Sequence, residues 1–198
     1  FMLIQAYLLV LTFVAFVGVY RFRHLDTSMK IISALLVFTT IHEWFGQVDP
    51  LFSDFRLYWL YGGISASSYV FAFRNILVRE KQKTLLLVLA IAIAAIGVVK
   101  FFSISTSFPS AFILSSILLI VFSALLGLFA LLEKLDDRPL YQNVHFLMAS
   151  NIIVYQCTFF TYLGYFNTVM ASLGNGPLIV ELHISFSILY YLCFGIAF

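Results

Sequence analysis

Residues 58–83 read YWLYGGISASSYVFAFRNILVREKQK and combine an apolar segment of membrane-spanning length with a basic tail. Gly62 and Ala66, like Gly63 and Ser67, are small residues four positions apart, which lets a neighbouring helix approach the backbone closely. The tail holds the densest group of basic residues in the chain, namely Arg74, Arg79, Lys81 and Lys83. Such clusters stay on the cytoplasmic side of a membrane. We therefore predict a transmembrane helix that packs against other helices and orients the chain.

The composition of the whole chain indicates the same environment. Of 198 residues, 63% are hydrophobic and 10% are charged, and the mean hydropathy is +1.04. A soluble domain is about half apolar and a quarter charged, so the charges here are too few to cover a water-facing surface. We predict an all-α integral membrane protein in a lipid bilayer. Nucleic acid is excluded as a partner because no basic patch exists outside the loops.

Polar loops divide the chain into seven apolar segments of about 20 residues each, the length of one membrane crossing. The predicted spans are approximately 2–20, 30–47, 57–77, 84–102, 109–132, 143–170 and 178–198, and together they form a single bundle. The loops after spans one, three and five hold Arg21, Arg23, Lys30, Arg74, Arg79, Lys81, Lys83, Lys134 and Arg138. The other loops hold only Arg56 and Lys100, at their borders. This bias predicts an N-terminus outside and a C-terminus in the cytoplasm.

Span six carries the most polar helix face. Its members recur at helical spacing and are Asn151, Tyr155, Thr158 and Tyr162. Thr40 adds a hydroxyl to a polar face of span two, whereas Gln156 lies on another face of span six. Polar groups are costly in hydrocarbon unless they are paired, so we expect these faces to point into the bundle. They serve either as interhelical hydrogen bonds or as a solute path, and interhelical bonding is the commoner use.

Four ionisable residues fall near the outer ends of spans two and seven, and they are His42, Glu43, Glu181 and His183. A carboxylate and an imidazole from two helices can bind a divalent metal, relay a proton or sense external pH. The alternative is that all four are interfacial residues that reach water. The sequence assigns no cofactor and leaves the question of a metal open. It contains no phosphate-binding loop, no serine-hydrolase elbow and no Cys-x-x-Cys pair, which disfavours an enzyme.

Two further residue classes carry expectations. Trp44, Trp59, Tyr58 and Tyr61 lie where an outer aromatic belt is expected. The two cysteines, Cys157 and Cys193, fall inside apolar spans, and we expect buried, reduced thiols.

Four stretches of the chain carry a resemblance to a known family: Tyr20-Arg-Phe-Arg-His-Leu-Asp26 before a span that ends with Glu43, Tyr58-Trp-Leu-Tyr61, Asn151-Ile-Ile-Val-Tyr155 and His183-Ile-Ser-Phe-Ser-Ile-Leu-Tyr-Tyr191. They are similar to segments of small multi-span inner-membrane proteins of Bacteroidota, in which such regions sometimes precede histidine-kinase modules. The arrangement of three, one and three spans also resembles the topology of SWEET and PQ-loop transporters, although the loops after spans one and five contain no Pro-Gln. The first resemblance implies a bacterial inner membrane and a signalling or accessory role.

These observations favour a non-enzymatic, sensor-like or accessory membrane protein. It is expected to act through helix packing with a partner or through an outer-side pocket, and its partner is expected to be another membrane subunit or a cytoplasmic signalling module. The alternative is a small-solute transporter that uses the polar faces of spans two and six.

Overall fold

The computed structural model describes residues 2–48, 55–103, 109–133, 142–169 and 176–198. Every regular element in these ranges is helical. The helices are α1 (Met2–Arg21), α2 (Thr27–Val48), α3 (Phe55–Arg74), α4 (Glu80–Phe101), α5 (Ser110–Glu133), α6 (Val144–Val169) and α7 (Gly176–Ala197). Each helix matches one predicted span, with ends that differ by at most four residues. The predicted basic residues Lys134 and Arg138, and the predicted end of span six at residue 170, lie outside the described residues.

Six of the helices pack as a closed ring. Its order is α1, α2, α3, α5, α6, α7 and back to α1, and each neighbouring pair is in contact. Helix α4 lies outside this ring, where it packs along α3 and touches α5. The main apolar core lies inside the ring and is centred on fully buried residues such as Leu11, Ile32, Phe73, Ile152 and Phe194. The ring therefore encloses a common interior to which helices from both halves of the chain contribute.

The outer surface of the bundle is apolar. Phe13, Phe16, Val99 and Ile196 are each more than 60% exposed, and many other large apolar residues lie beside them. Among the described residues, five helices are long and apolar enough to cross a membrane: Met2–His24, Glu80–Phe101, Ser110–Glu133, Val144–Leu163 and Val180–Ala197. Helices α2 and α3 are not among these five. An apolar exterior on helices of this length is consistent with an integral membrane protein. Seven crossings and their orientation stay predictions.

The small residues of α3 lie against α4. A Cβ atom added to Gly97 of α4 would approach the Trp59 carbonyl oxygen to 2.6 Å and the Gly63 Cα to 3.4 Å, so the two backbones are nearly in contact. The Ser67 hydroxyl donates to the Gly63 oxygen at 2.7 Å and to the Ala90 oxygen on α4 at 3.0 Å. Ala66 is fully buried, and a Cβ atom on Gly62 would meet a Phe side chain of α5. Helices α4 and α5 are thus the neighbours of this face.

One end of the bundle, here called the basic end, holds the last turns of α1, α3, α5 and α7 and the first turns of α2, α4 and α6. Contacts across this end include the Ser28 hydroxyl, which donates to the Ala72 oxygen at 2.9 Å. The Arg21 guanidinium donates to the Phe198 oxygen at 2.6 Å and thereby joins α1 to the end of α7. The described basic residues at this end are Arg21, Arg23, Lys30, Arg74, Arg79, Lys81 and Lys83. The other end is called the opposite end below.

Candidate functional site: a tyrosine cluster around Glu43

Six tyrosines from four helices meet inside the ring. This tyrosine cluster consists of Tyr7 on α1, Tyr61 and Tyr69 on α3, Tyr155 on α6, and Tyr190 and Tyr191 on α7. Tyr69, Tyr190 and Tyr191 are at most 6% exposed, and the other three are partly buried. This concentration of hydroxyl groups distinguishes the interior from the apolar exterior of the described helices. Phenol groups that are buried require hydrogen-bond partners.

The hydroxyls of the tyrosine cluster are joined across helix boundaries. The Tyr69 and Tyr190 oxygens lie 2.5 Å apart, which links α3 directly to α7 across the interior. The Tyr155 hydroxyl lies 3.2 Å from the Ser187 hydroxyl on α7, and the rings of Tyr155 and Tyr190 stack at 3.9 Å. The Tyr61 hydroxyl lies 3.3 Å from the Thr39 hydroxyl on α2. These pairs connect four different helices, so a change at one hydroxyl bears on the packing of several.

Glu43 brings a carboxyl group into this network. It lies on α2 in the half of the bundle nearer the opposite end, and it is partly buried. Its carboxyl interacts with the Tyr7 hydroxyl on α1. Among the residues whose side chains the structure describes, the ion pairs involve other carboxylates, and none of these pairs includes Glu43. The described partner of the carboxyl is therefore a tyrosine hydroxyl on another helix.

The two predicted histidines lie against aromatic rings. His42 stacks on Tyr61 at 4.5 Å, and His183 stacks on Tyr162 at 4.3 Å and on Phe159 at 5.0 Å. Within the described residues, the buried Nδ1 atoms of both imidazoles lack a hydrogen-bond partner. Each histidine thus stacks on an aromatic ring and has one ring nitrogen without a described hydrogen-bond partner.

The four predicted outer-side residues differ in how exposed they are. Glu43 belongs to the interior, whereas Glu181 is exposed on α7. His42 and His183 are half-buried on α2 and α7. Among the described residues, no group of three or more His, Cys, Asp or Glu side chains is arranged to hold a metal ion.

Some residues of the predicted polar face of α6 contact α7, whereas others bond only within their own helix. The Asn151 amide donates to the backbone carbonyl oxygen of Tyr190 at 3.0 Å, and Tyr155 and Tyr162 contact α7 as described above. The Thr158 hydroxyl instead donates to the Val154 oxygen of its own helix, as the Thr40 hydroxyl does to the Leu36 oxygen on α2. Such bonds satisfy the hydroxyl locally and create no link between helices.

Some interior residues depart from the sequence expectations. Tyr61 belongs to the tyrosine cluster and not to an aromatic belt, although Tyr58 and Trp44 are exposed as a belt requires. Gln156 is only 6% exposed and adds a polar residue that the face from Asn151 to Tyr162 does not include. The expectation for the cysteines was wrong, because Cys157 and Cys193 are free but exposed on the surface. Tyrosines in mid-span were the sequence signal for the cluster.

Comparison with known proteins adds nothing to the description of this site. The chain matches no protein-family model, no curated protein and no solved structure.

Proposed function

We propose that this chain is a non-enzymatic, sensor-like membrane protein whose stimulus acts at Glu43. The supporting observation is the partly buried Glu43 carboxyl, which interacts with the Tyr7 hydroxyl of α1 and forms no ion pair with any side chain that the structure describes. An ionisable group among membrane helices is expensive to keep and by default marks a functional site. A structural role in packing alone would be served at lower cost by an apolar or amide side chain.

The chemistry proposed for Glu43 is proton exchange or the binding of a small ligand by hydrogen bonds. A carboxylate accepts hydrogen bonds only, whereas a carboxylic acid also donates one. Gaining a proton makes one carboxyl oxygen a donor while the other stays an acceptor, so a bond to a tyrosine such as Tyr7 can reverse its direction. Because the tyrosine cluster links α1, α3, α6 and α7, the reversal would change how these helices pack, and that change is the proposed signal.

The direction of signalling follows from the proposed topology. We take all seven helices to cross the membrane, with the basic end in the cytoplasm, because Lys and Arg concentrate in cytoplasmic loops. Glu43 then lies in the outer half of a bacterial inner-membrane bundle. The likeness to regions that precede histidine-kinase modules supports a cytoplasmic signalling module, or another membrane subunit, as the receiver.

Infrared difference spectroscopy between acidic and neutral pH tests the role of Glu43 in protein reconstituted in lipid nanodiscs. We expect a protonated-carboxyl band, accompanied by tyrosine bands, that is lost in Glu43→Gln. The matched control is Glu181→Gln, which removes an exposed carboxyl and should keep both features. The proposal is wrong if Glu43→Gln is folded and leaves the carboxyl and tyrosine bands unchanged.

A small-solute transporter is the second candidate. It is favoured by one observation: α2, which carries Glu43, and α6, which carries Tyr155, are opposite each other in the ring. A carrier driven by protons should dissipate a pH gradient across proteoliposomes when its solute is present. Gradient loss that requires Glu43 would favour transport, whereas an intact gradient together with the infrared response would favour sensing.

A further inference from the structure

A second site lies at the basic end of the ring, remote from Glu43. The Asp26 Oδ2 atom and the His145 Nε2 atom are 3.1 Å apart. The side chains are 50% and 27% exposed, respectively, so the pair is half in contact with solvent. It joins residues 119 positions apart in sequence, the first from the turn before α2 and the second from the first turn of α6. Such a pair is a direct link between the two halves of the chain.

Each partner is held in place by its own helix terminus. The Asp26 Oδ1 atom accepts a hydrogen bond from the Met29 backbone N–H at 3.0 Å, so the carboxylate caps α2 with one oxygen and contacts His145 with the other. The Asn143 side-chain oxygen caps α6 by accepting from the His145 and Phe146 backbone N–H groups. Both partners of the pair thus belong to capped helix starts.

The position of these two helices gives the pair its significance. In the ring, α2 and α6 are separated by α3 and α5 on one side and by α1 and α7 on the other, so they stand across the interior from each other. A cleft of about 330 Å³ opens beside the pair. It is lined by Asp26, Thr27, Ser28, Asn75, Ile76, Leu131 and His145. The pair therefore spans the end of the ring at the edge of a space open to solvent.

We propose that the Asp26–His145 pair is a latch that holds the basic end of the ring closed, and that α2 and α6 separate there when it opens. The latch stands independently of the function proposed for Glu43, because it uses different residues at the other end of the bundle. It gives the protein an open and a closed form at the end where the predicted signalling partner binds. Opening would widen the existing cleft toward buried residues of α6, of which Ala149 is the nearest fully buried small residue.

The accessibility of a cysteine at position 149 tests the latch. The parent protein carries Ala149→Cys with Cys157 and Cys193 replaced by Ser, and it is reconstituted in nanodiscs so that a water-soluble maleimide reaches both faces. We expect slow labelling in this parent and labelling roughly fivefold faster in Asp26→Asn and His145→Ala, the factor that corresponds to ~1 kcal/mol for a partly exposed pair. Asp26→Asn retains an N-cap residue, so it removes the charge without removing the cap.

Two controls separate the latch from general loosening. Arg79→Gln breaks an exposed pair of similar length, Arg79 to Glu133 at 3.1 Å, and should leave labelling at position 149 unchanged. A second reporter, Ala124→Cys, lies at a fully buried position within α5 and should stay slow in every variant. If His145→Ala does not fold, His145→Asn provides the smaller change. Unchanged labelling at position 149 in the folded Asp26 and His145 variants overturns the latch, and so does equal acceleration at positions 124 and 149.

Discussion

The two faces of α3 differ in what they present to their neighbours. Toward α4, the helix offers Gly63 and Ser67, and the Ser67 hydroxyl reaches only backbone oxygens. Toward the ring, it offers Tyr61, Tyr69 and Phe73, whose side chains fill the interior and reach side chains on α2 and α7. One helix therefore has a face where backbones meet and a face where large side chains meet.

This difference assigns separate roles to the two faces. Backbone contact through small residues allows few alternative arrangements, because any added atom collides with a main chain. A tyrosine hydroxyl can change its hydrogen-bond partner by rotating its O–H bond about the C–O axis, and the direction of its bond can follow the protonation of a neighbour such as Glu43. We interpret the contact between α3 and α4 as scaffold and the interior as the responsive region.

The largest expected effect comes from adding bulk to the scaffold face. Gly97→Val should lower the free energy of unfolding by about 2–3 kcal/mol, because the new Cβ would lie 2.6 Å from the Trp59 backbone oxygen. Denaturant titration in mixed micelles, followed by helical circular dichroism, measures this loss. The matched control is Gly46→Val, since a Cβ at Gly46 meets nothing within 4 Å. Equal losses of unfolding free energy in the two variants would show that the close backbone contact at Gly97 is not the cause.

An intermediate effect is expected in the interior. Tyr190→Phe should cost about 1 kcal/mol, because it leaves the buried Tyr69 hydroxyl without its partner at 2.5 Å. The same titration measures it, and Tyr20→Phe at an 80% exposed position should be neutral. The double variant Tyr69→Phe/Tyr190→Phe should cost less than the two single changes added together, since it leaves no hydroxyl unpaired. Strict additivity would show that the two tyrosines are not coupled.

The smallest expected effect returns to the scaffold face. Ser67→Ala should cost about 0.5 kcal/mol, because the hydroxyl adds one bond to the Ala90 oxygen on α4 while the close backbone contact remains. Ser115→Ala serves as the control, since that hydroxyl bonds only within α5, to the Ala111 oxygen. If Ser67→Ala lowered the free energy of unfolding more than Tyr190→Phe does, the comparison would be reversed. A hydroxyl group would then be the main stabiliser of the contact between α3 and α4.

The helices were predictable from the sequence, since runs of apolar residues between polar loops determine where a segment can cross a bilayer. Inward-facing polar residues were partly predictable, because hydrocarbon penalises unpaired polar groups. Asn151 and Tyr155 indeed bond to α7. The hydroxyls of Thr158 and Thr40 instead bond to backbone oxygens of their own helices. Residue spacing alone does not distinguish such a bond from a bond to another helix.

The order of the helices around the ring was not predictable. Lipid tails are as apolar as a protein core, so hydrophobic periodicity does not reveal which face is buried. For this reason the small residues of α3 gave no indication that α4 was their main partner. The same ambiguity explains the wrong expectation for Cys157 and Cys193, because an apolar span has a lipid side as well as a core side.

The ring also has a consequence for the order in which the chain folds. The contact between α3 and α4 joins neighbours in sequence and can form as soon as both helices have entered the bilayer. The contact between α1 and α7 joins the two ends of the described chain, so it must wait until all intervening helices are in place. Until then Tyr7 and Tyr191 face no partner on the other helix. Ring closure is therefore expected as the late, slow step of assembly, and a chain interrupted before α7 would leave the tyrosines of α1, α3 and α6 uncovered and open to quality-control proteases.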